Sequence, residues 1–119
     1  ALDTVLDHEL ESRRKGLVLE GTWLPAEWMT RAPARFPGAD CRAAVLFEED
    51  PEALLAALLG RSPGREQTPS AVTFADWAWL IGLRLATAAR DAGIPVLDSR
   101  PRETLLDRLA GAFGIEAIA

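Results

Sequence analysis

Histidine and cysteine are almost missing from this chain of 119 residues, which has one of each, His8 and Cys41, and no tyrosine. A single histidine on a polar helix position gives a histidine-based triad or a zinc cluster nothing to build on. A single cysteine cannot form an internal disulfide, which fits a reducing compartment, and with no acid–base partner near it in sequence Cys41 reads as structural. Lysine is as scarce, with Lys15 standing alone against twelve arginines. Lys15-Gly16 is not set in a G-x-x-x-x-G-K-[ST] arrangement, so no Walker A loop is present. Positive charge in excess is also lacking. Thirteen basic residues against eighteen acidic ones leave a net charge of −5, which offers no footprint for nucleic acid or an anionic membrane. The longest apolar stretch, Trp77 to Ala89, is broken by Gly82 and Arg84 and falls short of a membrane span. No charged-then-apolar leader opens the chain, so a cytoplasmic protein is expected.

What is present is the composition of an ordinary folded domain, 49% hydrophobic and 26% charged. A chain of this length forms one domain and buries roughly two-thirds of its unfolded surface. It opens at Ala1 with helix-type sequence from the first residues, and is read as the later part of a longer polypeptide.

Hydrophobic spacing then sets the elements. Leu2, Val5, Leu6 and Leu10 predict an amphipathic helix over 2–14, with acids early and Arg13-Arg14-Lys15 late, the order that suits a helix dipole. Gly16 ends it, and residues 17–20 predict a short buried strand. Prolines and glycines punctuate residues 21–40, with a short helix expected from Pro25 to Arg31. Arg42 to Phe47 predicts a second strand. Asp50-Pro51-Glu52 starts the next helix, with Asp50 as cap and Pro51 in the first position, and the helix runs to Gly60. Residues 61–70 read as a polar, flexible and basic loop. A long helix is expected from Phe74 to Ala92, capped by Thr73 with Asp76 in the capping-box position, and Gly93 closes it. Ile94 to Leu97 predicts a third strand and Arg102 to Phe113 a last helix. Short apolar strands separated by helices imply a three-layer α/β fold, a mostly parallel sheet with helices on both faces.

Four places could carry chemistry. Glu20 ends the first expected strand, and ligands of parallel sheets bind beyond the carboxyl ends of strands. There it can hold Mg²⁺ or accept a proton from a substrate hydroxyl, with Gly21 leaving room beside it; equally, it is a strand-end acid that caps a helix or faces water. Arg61 and Arg65, on the loop 61–70, suit a lid that closes on phosphate, or else lie on a solvated surface loop. Asp98 to Arg102 follow the third strand and can contact a nucleotide, or simply cap the last helix. Trp23, Trp28, Arg31 and Arg35 can form an acceptor pocket, though both tryptophans read first as packing residues. Phe74, Trp77, Ile81 and Leu85 share one helical face and read as core, while Trp79 and Leu83 imply burial on a second side or contact with another subunit.

The order of these features resembles the second half of the P-loop small-molecule kinases of the adenylate-kinase-like superfamily. Leu17-Val18-Leu19-Glu20-Gly21 with Leu24-Pro25 is similar to the "EG…P" strand of 2-phosphoglycerate kinase and uridine-kinase-like proteins. Chloramphenicol phosphotransferase-like enzymes share the same layout. The resemblance implies an ATP-dependent phosphotransferase of a small metabolite. Glu20 would stand near Mg and the acceptor hydroxyl, and Arg61 and Arg65 would reach the transferred phosphoryl. Arg100, Pro101 and Arg102 would lie beside the adenine of ATP, with Trp23, Arg31 and Arg35 at the acceptor. The glycine-rich phosphate loop and the central strand that carries it are not among these residues. The resemblance therefore also implies an alternative, a non-enzymatic binding or assembly module that associates as a homo-oligomer or through open strand edges.

Overall fold

The computed structural model describes residues 18–21, 24–61 and 67–115. The helix expected over 2–14 lies outside them. The elements in chain order are α1 (Ala26–Arg35), β1 (Val45–Phe47), α2 (Pro51–Gly60), α3 (Pro69–Asp91), β2 (Val96–Asp98), a 3₁₀ turn (Arg102–Thr104) and α4 (Leu105–Phe113). Among the described residues no helix is long and apolar enough to cross a membrane.

The expected three-stranded, three-layer sheet is not what forms. Among the described residues helices dominate, and the sheet has two short strands, β1 and β2, paired in parallel with Val45 opposite Val96 and Phe47 opposite Asp98. Residues 18–21 form no strand; Leu17 lies outside the described residues. Val18 is 93% and Leu19 41% exposed, so among the described residues neither is paired in a sheet or covered. A strand is stabilised by a neighbouring edge, and an apolar sequence alone does not supply one. The second strand is shorter than expected for the same reason, because only Val45 to Phe47 lie against β2. The third arrives close to its expected place, at Val96–Asp98.

The two strands pack on α3, and small residues make that possible. Ala71, Ala75, Ala86 and Ala89 are the buried positions of α3, and Gly82 lies so close to Phe47 that a Cβ there would stand 3.3 Å from the ring. Val45 and Phe47 point into this contact, while Leu46, on the other face of the sheet, stays 45% exposed. The expected core face of Phe74, Trp77, Ile81 and Leu85 is covered only in its second half. Phe74 and Trp77 are exposed, since they precede Trp79 on the part of α3 that stands beyond the strand ends, while Ile81 and Leu85 are half-buried. Trp79 is the tryptophan that turns inward, its ring 6.2 Å from that of Phe47.

Helix boundaries follow local chemistry. α2 starts as expected, with Asp50 accepting from the Glu52 amide (2.9 Å) ahead of Pro51. α3 starts five residues earlier than expected. Thr68 accepts from the Ala71 amide (3.1 Å) and Pro69 takes the first turn, so Thr73 is an interior residue. α1 runs past Arg31 to Arg35 through Pro33 and stops at Phe36, which the following Pro37 keeps out of the helical region. The last helix is split into the 3₁₀ turn and α4. Gly93 and Gly114, at φ +77° and +67°, turn the chain out of α3 and α4 in the left-handed conformation that glycine adopts without strain. A second small cluster gathers Trp28, Ala32, Phe36, Ala39 and Cys41 behind α1. Arg42 anchors the approach to β1 by pairing with Asp40 (3.1 Å) and donating to the Phe113 carbonyl at the end of α4. Its guanidinium holds the Asp40 carboxyl below the usual range.

Candidate site at the carboxyl edge of the strands

β1 and β2 are parallel, so their carboxyl ends lie side by side, and the densest polar network among the described residues is built there. The Ser99 amide donates to the Phe47 carbonyl (3.1 Å), which carries the pairing one step past the strands. The next residue of the first strand is Glu48. Its Oε2 accepts from Arg100 Nε (2.6 Å) and Ser99 Oγ (3.2 Å), and its Oε1 accepts from Arg100 Nη2 (2.8 Å) and the Asp50 amide (3.1 Å). The Glu48 side chain is 12% exposed, and the two-pronged arginine contact is the strong geometry for a carboxylate. Hydrogen bonding from Arg100 holds the Glu48 carboxyl below its ordinary value against the opposing pull of burial, and the same contact raises Arg100.

From the other side, Arg108 of α4 donates to the Asp98 carbonyl (2.7 Å), the Pro101 carbonyl (2.8 Å) and Thr104 Oγ1 (3.1 Å). Residues 98–104 are thus fastened at both ends. Glu48 carries no spare lone-pair direction toward a ligand, and Asp50 is engaged as the cap of α2. The edge is a rigid anchor that leaves Arg102 and the outer face of Arg100 exposed.

Above this anchor stands a helical hairpin. The Trp79 indole donates to the Glu49 carbonyl (3.2 Å), so α3 passes the strand ends at Trp79. The part of α3 before Trp79 projects beyond them by roughly 15 Å at the helical rise per residue. α2 leaves β1 at the same point and runs alongside, with Leu55, Leu58 and Leu59 against Ala71 and Phe74. Arg61 is the C-cap of α2, exposed at the tip of that hairpin.

The expected site residues are therefore dispersed. Arg100, Pro101 and Arg102 share the carboxyl edge, and Arg61 stands on the hairpin tip. Arg65 and Trp23 lie outside the described residues. Glu20 is exposed, ends no strand and makes no hydrogen bond or ion pair among the described residues. Arg31 donates to the Glu27 carbonyl (3.3 Å) of its own helix. It lines an open groove of about 1100 Å³ between α1 and the last turns of α3, which it shares with Arg84, Ile81, Leu85 and Ala88. That groove is at the amino-terminal end of the strands, away from the edge. Arg35 lies over the Phe36 ring at 5.3 Å. Glu48 was not anticipated, although the signal was in the sequence, an acid directly after the apolar run Val45 to Phe47.

Glu48 offers no free oxygen to a metal ion. Both oxygens of the strand-end carboxylate are occupied by Arg100, Ser99 and a backbone amide. No group of three potential ligands among the described residues is placed to hold a metal. No family model, curated protein or solved structure matches this chain.

Proposed function

We propose that this chain is the lid-bearing part of a small-molecule phosphotransferase, a part that grips the anionic group of a metabolite without itself supplying the nucleotide cradle. The observation that carries the reading is the α2–α3 hairpin, which projects past the carboxyl ends of two parallel strands with Arg61 at its tip. Ligands of parallel sheets bind beyond those ends. An arginine on a projecting arm is the device that closes over phosphate and shields it from water. Arg102 and the exposed face of Arg100 lie at the base of the same space, with the Glu48 and Arg108 contacts fixing their backbone.

Calorimetric titration of the folded chain tests this directly. Inorganic phosphate or pyrophosphate is expected to bind, and Arg61→Ala to weaken binding about tenfold or more, the size of a lost hydrogen bond to a charged group. ATP with Mg²⁺ is titrated in parallel. A folded sample that takes up neither phosphate nor nucleotide leaves the second reading, a non-enzymatic assembly module. That reading draws on the exposed Leu46 face of the sheet and on the uncovered run Val18-Leu19.

A further inference from the structure

One stripe of α3 belongs to neither the sheet contact nor the hairpin contact, and only its member Arg84 also borders the groove beside α1. Thr73, Trp77, Leu80, Arg84 and Thr87 follow one another at alternating spacings of four and three residues, the spacing of a seam that faces another helix. All five are exposed, and the two large apolar members, Trp77 at 66% and Leu80 at 54%, stand well out of the surface. They lie on the side of α3 away from its buried alanines. Large apolar side chains grouped on the outer face of an already packed helix mark an interaction surface.

The stripe also indicates what covers it. Reversed end for end about Leu80, it meets its own complement. The residues four before and four after Leu80 are Asp76 and Arg84, those three before and after are Trp77 and Leu83, and those seven before and after are Thr73 and Thr87. Asp76 and Arg84 are both exposed, and neither forms an ion pair among the described residues.

We propose that two copies of this chain associate through antiparallel α3 helices, with a two-fold axis passing at Leu80. Such an interface is self-complementary, so each contact occurs twice. With helix axes about 8–10 Å apart, Leu80 packs on Leu80 of the partner subunit, and Thr73 lies beside Thr87 of the partner subunit. Asp76 pairs with Arg84 of the partner subunit, whose guanidinium also lies within reach of the Trp77 ring, a contact that favours arginine. The seam from Thr73 to Thr87 is about 21 Å long at the helical rise. Each copy carries a net charge of −5, so the two Asp–Arg pairs give the attraction needed at the point of contact between two acidic molecules.

Sedimentation velocity on the full chain is the test, with far-UV circular dichroism to establish that each variant is folded. The parent chain is expected to be a dimer at micromolar concentration. Asp76→Arg places two like-charge pairs at the seam and Arg84→Asp places two of the opposite sign, so each is expected to weaken the dimer about tenfold or more. The double variant D76R/R84D recreates the pairs with their signs exchanged and is expected to dimerise again. Leu80→Cys on a Cys41→Ser background is expected to cross-link to itself on mild oxidation, because only a residue on the axis meets its own mate. A monomeric parent chain overturns the proposal. So does a dimer indifferent to the single charge reversals, or a double variant that dissociates as readily as the single ones.

Discussion

Glu48 is the residue on which the strand ends depend. Its carboxylate holds a guanidinium, a hydroxyl and an amide at once, and its proton affinity is lowered by the first of these. The sign of the pH effect follows. A carboxyl held below its unfolded value contributes stability that is fully present above about pH 4.3, the ordinary glutamate value. The contribution is lost as pH falls through the lower folded value. Thermal melts across the acid range are expected to show a steep loss in the parent chain and a shallower one in Glu48→Gln, which is also expected to melt lower at pH 7. An unchanged acid slope in the variant would remove Glu48 from this role. Gly82 is the other decisive residue. Gly82→Val forces two methyl groups toward the Phe47 ring, and chemical denaturation should register a loss of about 1–3 kcal/mol, the usual cost of overpacking.

Among the elements, α2 and α3 show what local chemistry decides. Thr68 caps α3 and Thr73 does not, so Thr68→Ala should cost about 1 kcal/mol, and Thr73→Ala, on the exposed surface, under about 0.5 kcal/mol. Equal losses would return the helix start to the later threonine. The start of α2 was legible in Asp50-Pro51-Glu52, because cap and proline stand next to an apolar run. The start of α3 was not, because Thr68-Pro69 follows a stretch rich in proline and glycine in which another proline reads as loop. The face of α3 was misjudged for a different reason. Hydrophobic periodicity weighs bulk, so Phe74, Trp77, Ile81 and Leu85 outvote alanine, whereas the positions at which α3 closes on its neighbours, Ala71 on α2 and Gly82 on Phe47, carry small residues. The strand expected at 17–20 illustrates a third gap, since an apolar run carries no information about whether an edge is free to pair with it. Of the carboxyl edge, the sequence points to Arg100 to Arg102, which the strand-end rule reaches directly. The groups that fix this loop, Glu48 and Arg108, are distant from it in sequence or on the next helix, where no local pattern points to them.

At the scale of the whole molecule, the described residues bury mostly small side chains. The buried hydrophobics are chiefly alanines, with Phe36, Val45 and Phe47 the larger members. Stability then depends more than usual on what covers the exposed surface. If α3 pairs with α3 of a second copy, the melting temperature should rise with protein concentration, since association stabilises the folded form by mass action. In Leu80→Glu it should not. Calorimetric scans over a hundredfold concentration range decide this, and a melting temperature that stays constant in the parent chain speaks against the pairing.

The join between Glu48 and Arg100 links positions 52 residues apart in sequence, and this has a consequence for the order of folding. Bringing the two strand ends together closes a long loop, an entropic cost that is met before the parallel pairing returns anything. α2 and α3 occupy most of that loop, and their contacts with each other are nearer in sequence. Once the hairpin has formed, the span left to close is far shorter than the chain between the strands. The hairpin is therefore expected to assemble first, with the carboxyl edge closing late. Substitutions at Leu55 or Leu58 should slow folding, whereas Glu48→Gln should chiefly speed unfolding.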